Sequence, residues 1–251
     1  MVKLLIRPYK ASTDARALDA LMNEATMSTI WPTFMAVITK EFTIQMIVMS
    51  MAVLFVAVGS PLLYCALSLP AMILLIFLVI WCGHRLKVMK YHEDLKSIEK
   101  TYQSHSKTGF WVVEVVEGGE KDLKVDFVFE NEGESSFSSA SPTIVGSVAI
   151  CIKKDPDLRD PPESVAWLRR MAVSKRYQRK GIGERLVDVA LNHCKYQNFI
   201  AVELLTTEFH DSARSLYAKK GFEMVASVRK EFIFGWISWM LYTFRYHFSR
   251  S

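Results

Sequence analysis

Apolar and polar positions along the chain divide it into three stretches with different periods. Residues 3–8 (Lys-Leu-Leu-Ile-Arg-Pro) read as a short strand, and Ser12-Thr13-Asp14 can cap a helix whose apolar positions Leu18, Leu21, Met22 and Ala25 follow helical spacing. From Phe42 to Gly83 the pattern stops: 42 consecutive residues carry no Asp, Glu, Lys, Arg or His. A membrane span needs about 20 apolar residues, so this block has room for two. Gly59-Ser60-Pro61 near its middle is a turn cluster. The block therefore predicts an apolar hairpin with helices at about 42–58 and 62–83, kinked at Pro70.

Behind the block, 85–102 predicts a charged helix with Leu95, Ile98 and Tyr102 on one side. Gly109–Val116, Thr143–Ile152 and Val165–Val173 have strong strand character. Segment 117–142 is rich in Glu, Gly and Ser around the short apolar run Val125–Phe129, which predicts an exposed insertion. A helix over 182–195, a strand over 200–205, a helix over 211–220 and a β-rich end from Phe222 complete the order. Strands alternating with helices in the second half predict a mixed α/β sheet. The uncharged stretch 232–244 is too short to span a bilayer; it reads as closing strands, or as an interfacial segment with Trp236, Trp239 and Tyr242 at headgroup level.

Composition sharpens this picture. With 51% hydrophobic residues in 251, the chain is no disordered or low-complexity segment, and 4 cysteines cannot form a disulfide scaffold. Cys65 and Cys82 lie inside the apolar block and Cys151 and Cys194 outside it, a usage that fits reduced thiols in a cytosolic domain. Lys3, Arg7, Lys10, Arg16 and Lys40 precede the block, and Arg85, Lys87, Lys90, Lys96 and Lys100 follow it. Basic flanks on both sides favour an even number of crossings with both ends cytosolic. The net charge of +5 comes with no nucleic-acid motif, and the 6 histidines show no metal-ligand spacing. No metal and no nucleic acid are expected.

Candidate chemistry concentrates between Leu168 and Val187. A strand ends at Val173, a basic loop follows with Lys175, Arg176, Arg179 and Lys180, and Gly181 and Gly183 open a helix that carries Arg185. Glycine there lets backbone N–H groups approach an anion, and the helix N-terminus adds positive potential. The run is neither a Walker A loop nor a Rossmann fingerprint. Arg169 and Arg170 are adjacent on the strand, so alternation sends them to opposite faces. One of them then needs an anionic partner, a lead toward an acceptor with a carboxylate.

Gln178-Arg-Lys-Gly181-Ile-Gly183 resembles the Gln/Arg-x-x-Gly-x-Gly/Ala signature of the GNAT superfamily of acyl-CoA N-acyltransferases. The preceding Arg-Met-Ala-Val resembles its fourth strand, and Ala213-Arg-Ser-Leu-Tyr217-Ala-Lys-Lys-Gly221-Phe222 its closing motif. An apolar hairpin after the first helix, with Ile6-Arg-Pro, Phe110-Trp-Val and Phe244-Arg-Tyr-His-Phe, is similar to the camello-like, membrane-bound branch. That branch includes cysteine-S-conjugate and aspartate N-acetyltransferases.

The resemblance implies an α/β GNAT fold, a mixed, mostly antiparallel sheet flanked by helices, interrupted by a transmembrane helical hairpin. Residues 1–41 would be its first strand and helix, 42–83 the hairpin, and 84–251 the remainder. The first strand must join the common sheet, which independently requires an even number of crossings. The implied reaction moves acetyl from acetyl-CoA to the amine of a small amino acid or its conjugate, at the cytosolic face of the endoplasmic reticulum. Alternatives are a protein lysine acetyltransferase on membrane or secretory clients, and a non-catalytic membrane hairpin scaffold. Met171 and Val173 would hold the pantetheine arm with their backbone. The pyrophosphate would fall to the amides of Gln178, Arg179, Lys180, Gly181, Ile182 and Gly183, with side chains from Gln178 and Arg179. Tyr217 matches the general acid for the departing thiolate. Glu163 and Glu203 are the carboxylates available as general base, with a water chain as the other route. The sequence leaves the oligomeric state open.

Overall fold

The computed structural model describes residues 2–95, 98, 102, 106–117, 125–129, 142–154, 160–232 and 237–248. Strand β1 (Val2–Pro8) leads into helices α1 (Ala11–Met27), α2 (Ile30–Ile38), α3 (Glu41–Val56) and α4 (Leu62–Leu95). Then come β2 (Gly109–Glu117), β3 (Val125–Phe129), β4 (Ile144–Ile152), β5 (Val165–Val173), α5 (Ile182–Tyr196), β6 (Ala201–Thr207), α6 (Asp211–Lys219), β7 (Glu223–Phe232) and β8 (Ile237–His247). The strands form one eight-stranded sheet in the order β3-β1-β2-β4-β5-β6-β8-β7. Only β1–β3 and β5–β6 are parallel; every other pair is antiparallel.

Each face of the sheet buries a different helix. On one, α5 sets down the stripe Ile182, Leu186, Val187, Ala190 and Cys194 against Val148, Ile150, Leu168, Val202 and Leu204. On the other, Leu18, Leu21 and Met22 of α1 pack with Ile98, Tyr102, Phe110 and Ala149. The expected helix over 85–102 is continuous with the apolar one before it, because nothing between Gly83 and Arg85 breaks the spiral. Its Leu95 side chain lies outside the described residues.

Three local expectations are corrected. The segment 117–142 is not all insertion: Val125–Phe129 is a strand paired in parallel with Val2–Ile6, since its apolar run completes an otherwise open edge. Residues 118–124 and 130–141 lie outside the described residues, as does Trp236. The first helix is capped by neither Ser12 nor Thr13. Its cap is Lys10, and Asp14 turns inward. The stretch 26–41, left without structure by its sequence pattern, holds α2.

Among the described residues one helix is long and apolar enough to cross a membrane, Leu62–Leu86, with mean hydropathy 2.6 and only 17% of it buried. So much exposure separates it from a core helix. Helix α3 packs against it but has 16 residues, and it bends by 66° from the axis of Ala11–Ile38. The helix expected at about 42–58 runs over Glu41–Val56, and the one expected at about 62–83 begins at Leu62 and continues past the end of the uncharged block.

What binds the N-terminal strand to the sheet is a buried ion cluster. The Arg7 guanidinium donates to Asp14 at 2.6 and 2.8 Å and to Glu114 Oε2 at 2.7 Å. Asp14 also accepts from the Lys10 N–H at 2.8 Å and from the Thr13 hydroxyl. Burial alone would raise the Asp14 carboxyl, but Arg7 and these donors hold it below its usual range. Removing one partner of a buried pair leaves an uncompensated charge and costs about 3–5 kcal/mol. Arg7→Met should therefore lower the unfolding free energy of detergent-solubilised protein by that amount, read from denaturant titrations followed by tryptophan fluorescence. Because the folded Asp14 titrates below the unfolded one, its contribution is complete above about pH 4 and is lost as the pH falls further. The acid limb of the stability profile should be steep in the native chain and blunted in Arg7→Met; identical profiles would show that the cluster is inert.

Candidate active site

The sheet opens at its centre. Strand β5 pairs with β6 only from Val165↔Ala201 to Leu168↔Leu204. Beyond that point Arg169–Val173 continue on β4 while Leu205–Thr207 continue on β8, leaving a wedge between them. A bulge bends β5 there: register passes from Ala149↔Arg169 to Ser147↔Ala172, so Val148 faces two residues. Arg170 takes the left-handed conformation at φ 53°, and the Ser147 hydroxyl captures its carbonyl at 2.8 Å.

At the far end of the wedge lies the glycine loop. A short 3₁₀ turn, Lys175–Tyr177, leads to Arg179 (φ 63°) and Gly181 (φ 80°), both left-handed, and Gly181 caps α5. A Cβ at Gly181 would meet no atom within 4 Å, so the loop borders open space. At Gly183 a Cβ would meet Leu216 Cδ2 at 3.1 Å and Met171 Cε at 3.5 Å. The second glycine thus lets α5, α6 and the bulged strand converge, a packing role beyond anion approach. The first N–H groups of α5 lack intrahelical partners and carry the positive end of the helix dipole.

The remaining expected residues fall into place or away from it. The Gln178 amide donates to the Val173 carbonyl at 3.0 Å, so it shapes the loop. Lys180 stacks over Tyr177 at 5.1 Å, and Arg179 is exposed beside it. Tyr217 on α6 is buried next to Leu216, with Phe222 and Phe244 rings at 5.7 and 6.2 Å. Burial raises its phenol above the usual value, so it stays protonated across the neutral range.

Glu163 and Glu203 are not brought to the wedge. Glu163 sits in an exposed turn before β5, at the opposite end of the strand, 3.8 Å from Lys107. Glu203 lies before the divergence with both oxygens committed, to Lys153 at 2.7 Å and Arg245 at 2.8 Å, and Arg245 also binds Asp160.

Arg169 and Arg170 do not point to opposite faces, because the bulge breaks the two-residue alternation. Both bear on Tyr102 and Cys151, on the face covered by α1. Arg170 donates to the Tyr102 hydroxyl, and Arg169 contacts the Cys151 thiol. Burial pushes both Tyr102 and Cys151 upward, and the two guanidiniums pull them part of the way back. A second contact invisible in sequence involves Glu24 of α1, which accepts the Lys175 N–H at 2.8 Å and the Ser174 hydroxyl at 3.1 Å. Neither contact has a local signal, since the partners lie 151 residues apart for Glu24 and Lys175.

The wedge, the left-handed glycine cap and the open helix N-terminus fit an extended thioester with a pyrophosphate at one end. Comparison with known proteins gives the same answer. Residues 92–222 match the acetyltransferase (GNAT) family. The chain is 28% identical to N-acetyltransferase family 8 member 3 of Rattus norvegicus over 233 residues, 93% of this chain and 88% of that one. It is 29% identical to N-acetyltransferase 8 of Mus musculus over 132 residues, 53% and 46% of the two chains. The crystal structure of an acetyltransferase from Streptococcus agalactiae is similar over 96% of both chains, at 15% identity and a TM-score of 0.48. With the family's strand, loop and closing helix all in place, the chain belongs to the GNAT acetyltransferase family and is an acetyl-CoA-dependent N-acetyltransferase.

Proposed function

We propose that this enzyme is anchored in a membrane by α3 and α4 and acetylates the amine of a small amino acid or amino-acid conjugate. Its catalytic domain and both termini would lie on the cytosolic side of the endoplasmic reticulum. The observation that carries the reading is the joining of β1 and β2 in one sheet across the intervening apolar helices. A chain that leaves the sheet, enters a bilayer and returns to the neighbouring strand must cross an even number of times. The exposed side chains of α3 and α4, Val48, Met49, Val53, Leu67, Leu74 and Leu78 among them, are what a lipid-facing hairpin presents.

Acetyl-CoA supplies an acyl group activated as a thioester. Met171 and Val173 would line its arm from the strand edge that β6 abandons. The N–H groups of Gln178, Arg179, Lys180, Gly181, Ile182 and Gly183, with the side chains of Arg179 and Lys180, would hold the pyrophosphate. The amine attacks the thioester carbonyl, the carbon–sulfur bond breaks, and the thiolate needs a proton. Tyr217 stays protonated and can donate it. The amine's own proton leaves through water, since neither Glu163 nor Glu203 reaches the wedge. Arg169 and Arg170 share the face beside the bulge, where an acceptor carboxylate gains two charge-assisted donors.

Acceptor class is tested with detergent-purified enzyme, acetyl-CoA, a panel of free amino acids, S-conjugates and lysine peptides, and mass detection of products. Products from lysine peptides alone would overturn the small-molecule reading. For the loop, Gly181→Val forces a β-branched residue into a left-handed backbone and fills the open cradle. Gly183→Val drives extra carbons into Leu216. Both should abolish acetyl-CoA binding by calorimetry while leaving membrane integration intact; unchanged affinity in both would remove the loop from the site.

Tyr217→Phe should lower kcat by about 10²–10⁴-fold with KM for acetyl-CoA and thermal stability nearly unchanged. Full activity in that variant would assign the proton to water. Tags at Met1 and Ser251 should both be reached by antibody after selective plasma-membrane permeabilisation. Access to one alone would refute the hairpin.

A further inference from the structure

The exposed apolar surface extends past α3 and α4 onto α2. This nine-residue helix, Ile-Trp-Pro-Thr-Phe-Met-Ala-Val-Ile, carries no charge. Its inner side buries Thr33, Phe34 and Val37, with Phe34 and Val37 against Ile47, Ile76 and Ile80 of the two long helices. Its outer side leaves Trp31 60% and Met35 39% exposed. Beyond the polar residues Thr39, Lys40 and Glu41, Phe42 and Ile44 at the start of α3 are exposed as well.

Several contacts fix the level of this helix. The Thr29 hydroxyl, just before α2, lies 3.2 Å from His84 Nε2 at the end of the uncharged block. Lys40, just after α2, donates to the Ser238 hydroxyl at 2.8 Å. The Arg85 guanidinium sits 5.2 Å over the Trp81 ring. These polar groups bracket the apolar block at both of its ends in sequence, where a bilayer's headgroups would meet it, and α2 is held among them. Spanning helices tilt by about 20° on average, and α3 departs by 66° from the Ala11–Ile38 axis. The chain thus turns sharply where α2 gives way to α3.

We infer that α2 is an interfacial helix, lying in the headgroup region with Trp31 and Met35 inserted among the phospholipids. The inference rests on the membrane-anchored reading above and adds a contact to it. Lipid is the occupant because α2 packs directly on α3 and α4, whose exposed apolar side chains the reading above places in lipid. Tryptophan is also favoured at the interface. A spanning hairpin alone leaves the catalytic domain free to rock relative to the membrane normal. A second contact at the surface restrains that tilt. Since α2 follows α1 directly, the face that carries Arg169 and Arg170 is thereby held at one height above the headgroups.

The test uses full-length protein in phosphatidylcholine–phosphatidylglycerol vesicles. Single nitroxide labels are placed at Trp31→Cys, Met35→Cys, Ala20→Cys and Leu74→Cys, in a Cys82→Ser, Cys151→Ser background. Relaxation by oxygen against a water-soluble nickel chelate reports depth. The expected result places labels 31 and 35 about 5–10 Å into the headgroup–acyl boundary, label 74 deeper, and label 20 in water. Labels 31 and 35 matching label 20 while label 74 is deep would overturn the inference and leave the anchor standing. Labels 31 and 35 shielded from both reagents would mean that protein, such as a second copy, covers the patch, and would overturn it equally. Label 74 in water would remove the anchored reading and the inference with it.

Discussion

Everything in this molecule depends on bringing Val2–Pro8 back beside Gly109–Glu117 after the chain has run through four helices. Backbone pairing supplies the ladder, but the buried Arg7 cluster makes the juxtaposition specific. One guanidinium is shared between Asp14, seven residues on, and Glu114, 107 residues on. An Arg enclosed with two carboxylates tolerates no substitute geometry, because any other register leaves a charge desolvated and unpaired. The cluster in this way closes strand, first helix and second strand into one unit.

That closure shapes the site. The face under α1 receives Tyr102, Cys151 and the two arginines of the bulge, while the opposite face belongs to α5, α6 and the glycine loop. The wedge between β5 and β6 is where the two faces communicate. The division between the faces follows from the point at which one parallel pair stops pairing.

Much of this was legible in sequence for identifiable reasons. The uncharged block and the β-branched and aromatic runs of the strands are signals of composition, and the spacing of Leu186, Ala190 and Cys194 is a periodic one; both survive without knowing neighbours. The Gly181–Gly183 loop was legible because a left-handed cap asks for glycine. The Arg170 bulge was not, because an arginine there announces nothing; the left-handed turn is imposed by Val148 and Ser147 on the neighbouring strand. The same missing bulge produced the wrong prediction that Arg169 and Arg170 diverge. Helix α2 escaped notice because its nine residues are apolar on both sides and show no period. Glu203 looked available as a base only because its cationic partners, Lys153 and Arg245, come from distant strands. Val125–Phe129 looked like part of a loop because a polar context surrounds a run too short to declare itself.

The Glu24 carboxylate sits on the helix that covers one face of the sheet, yet it holds the Lys175 N–H and the Ser174 hydroxyl where the glycine loop begins. The turn that opens the loop is thereby tied to the helix on the sheet's other face through one side chain, and not through the sheet alone.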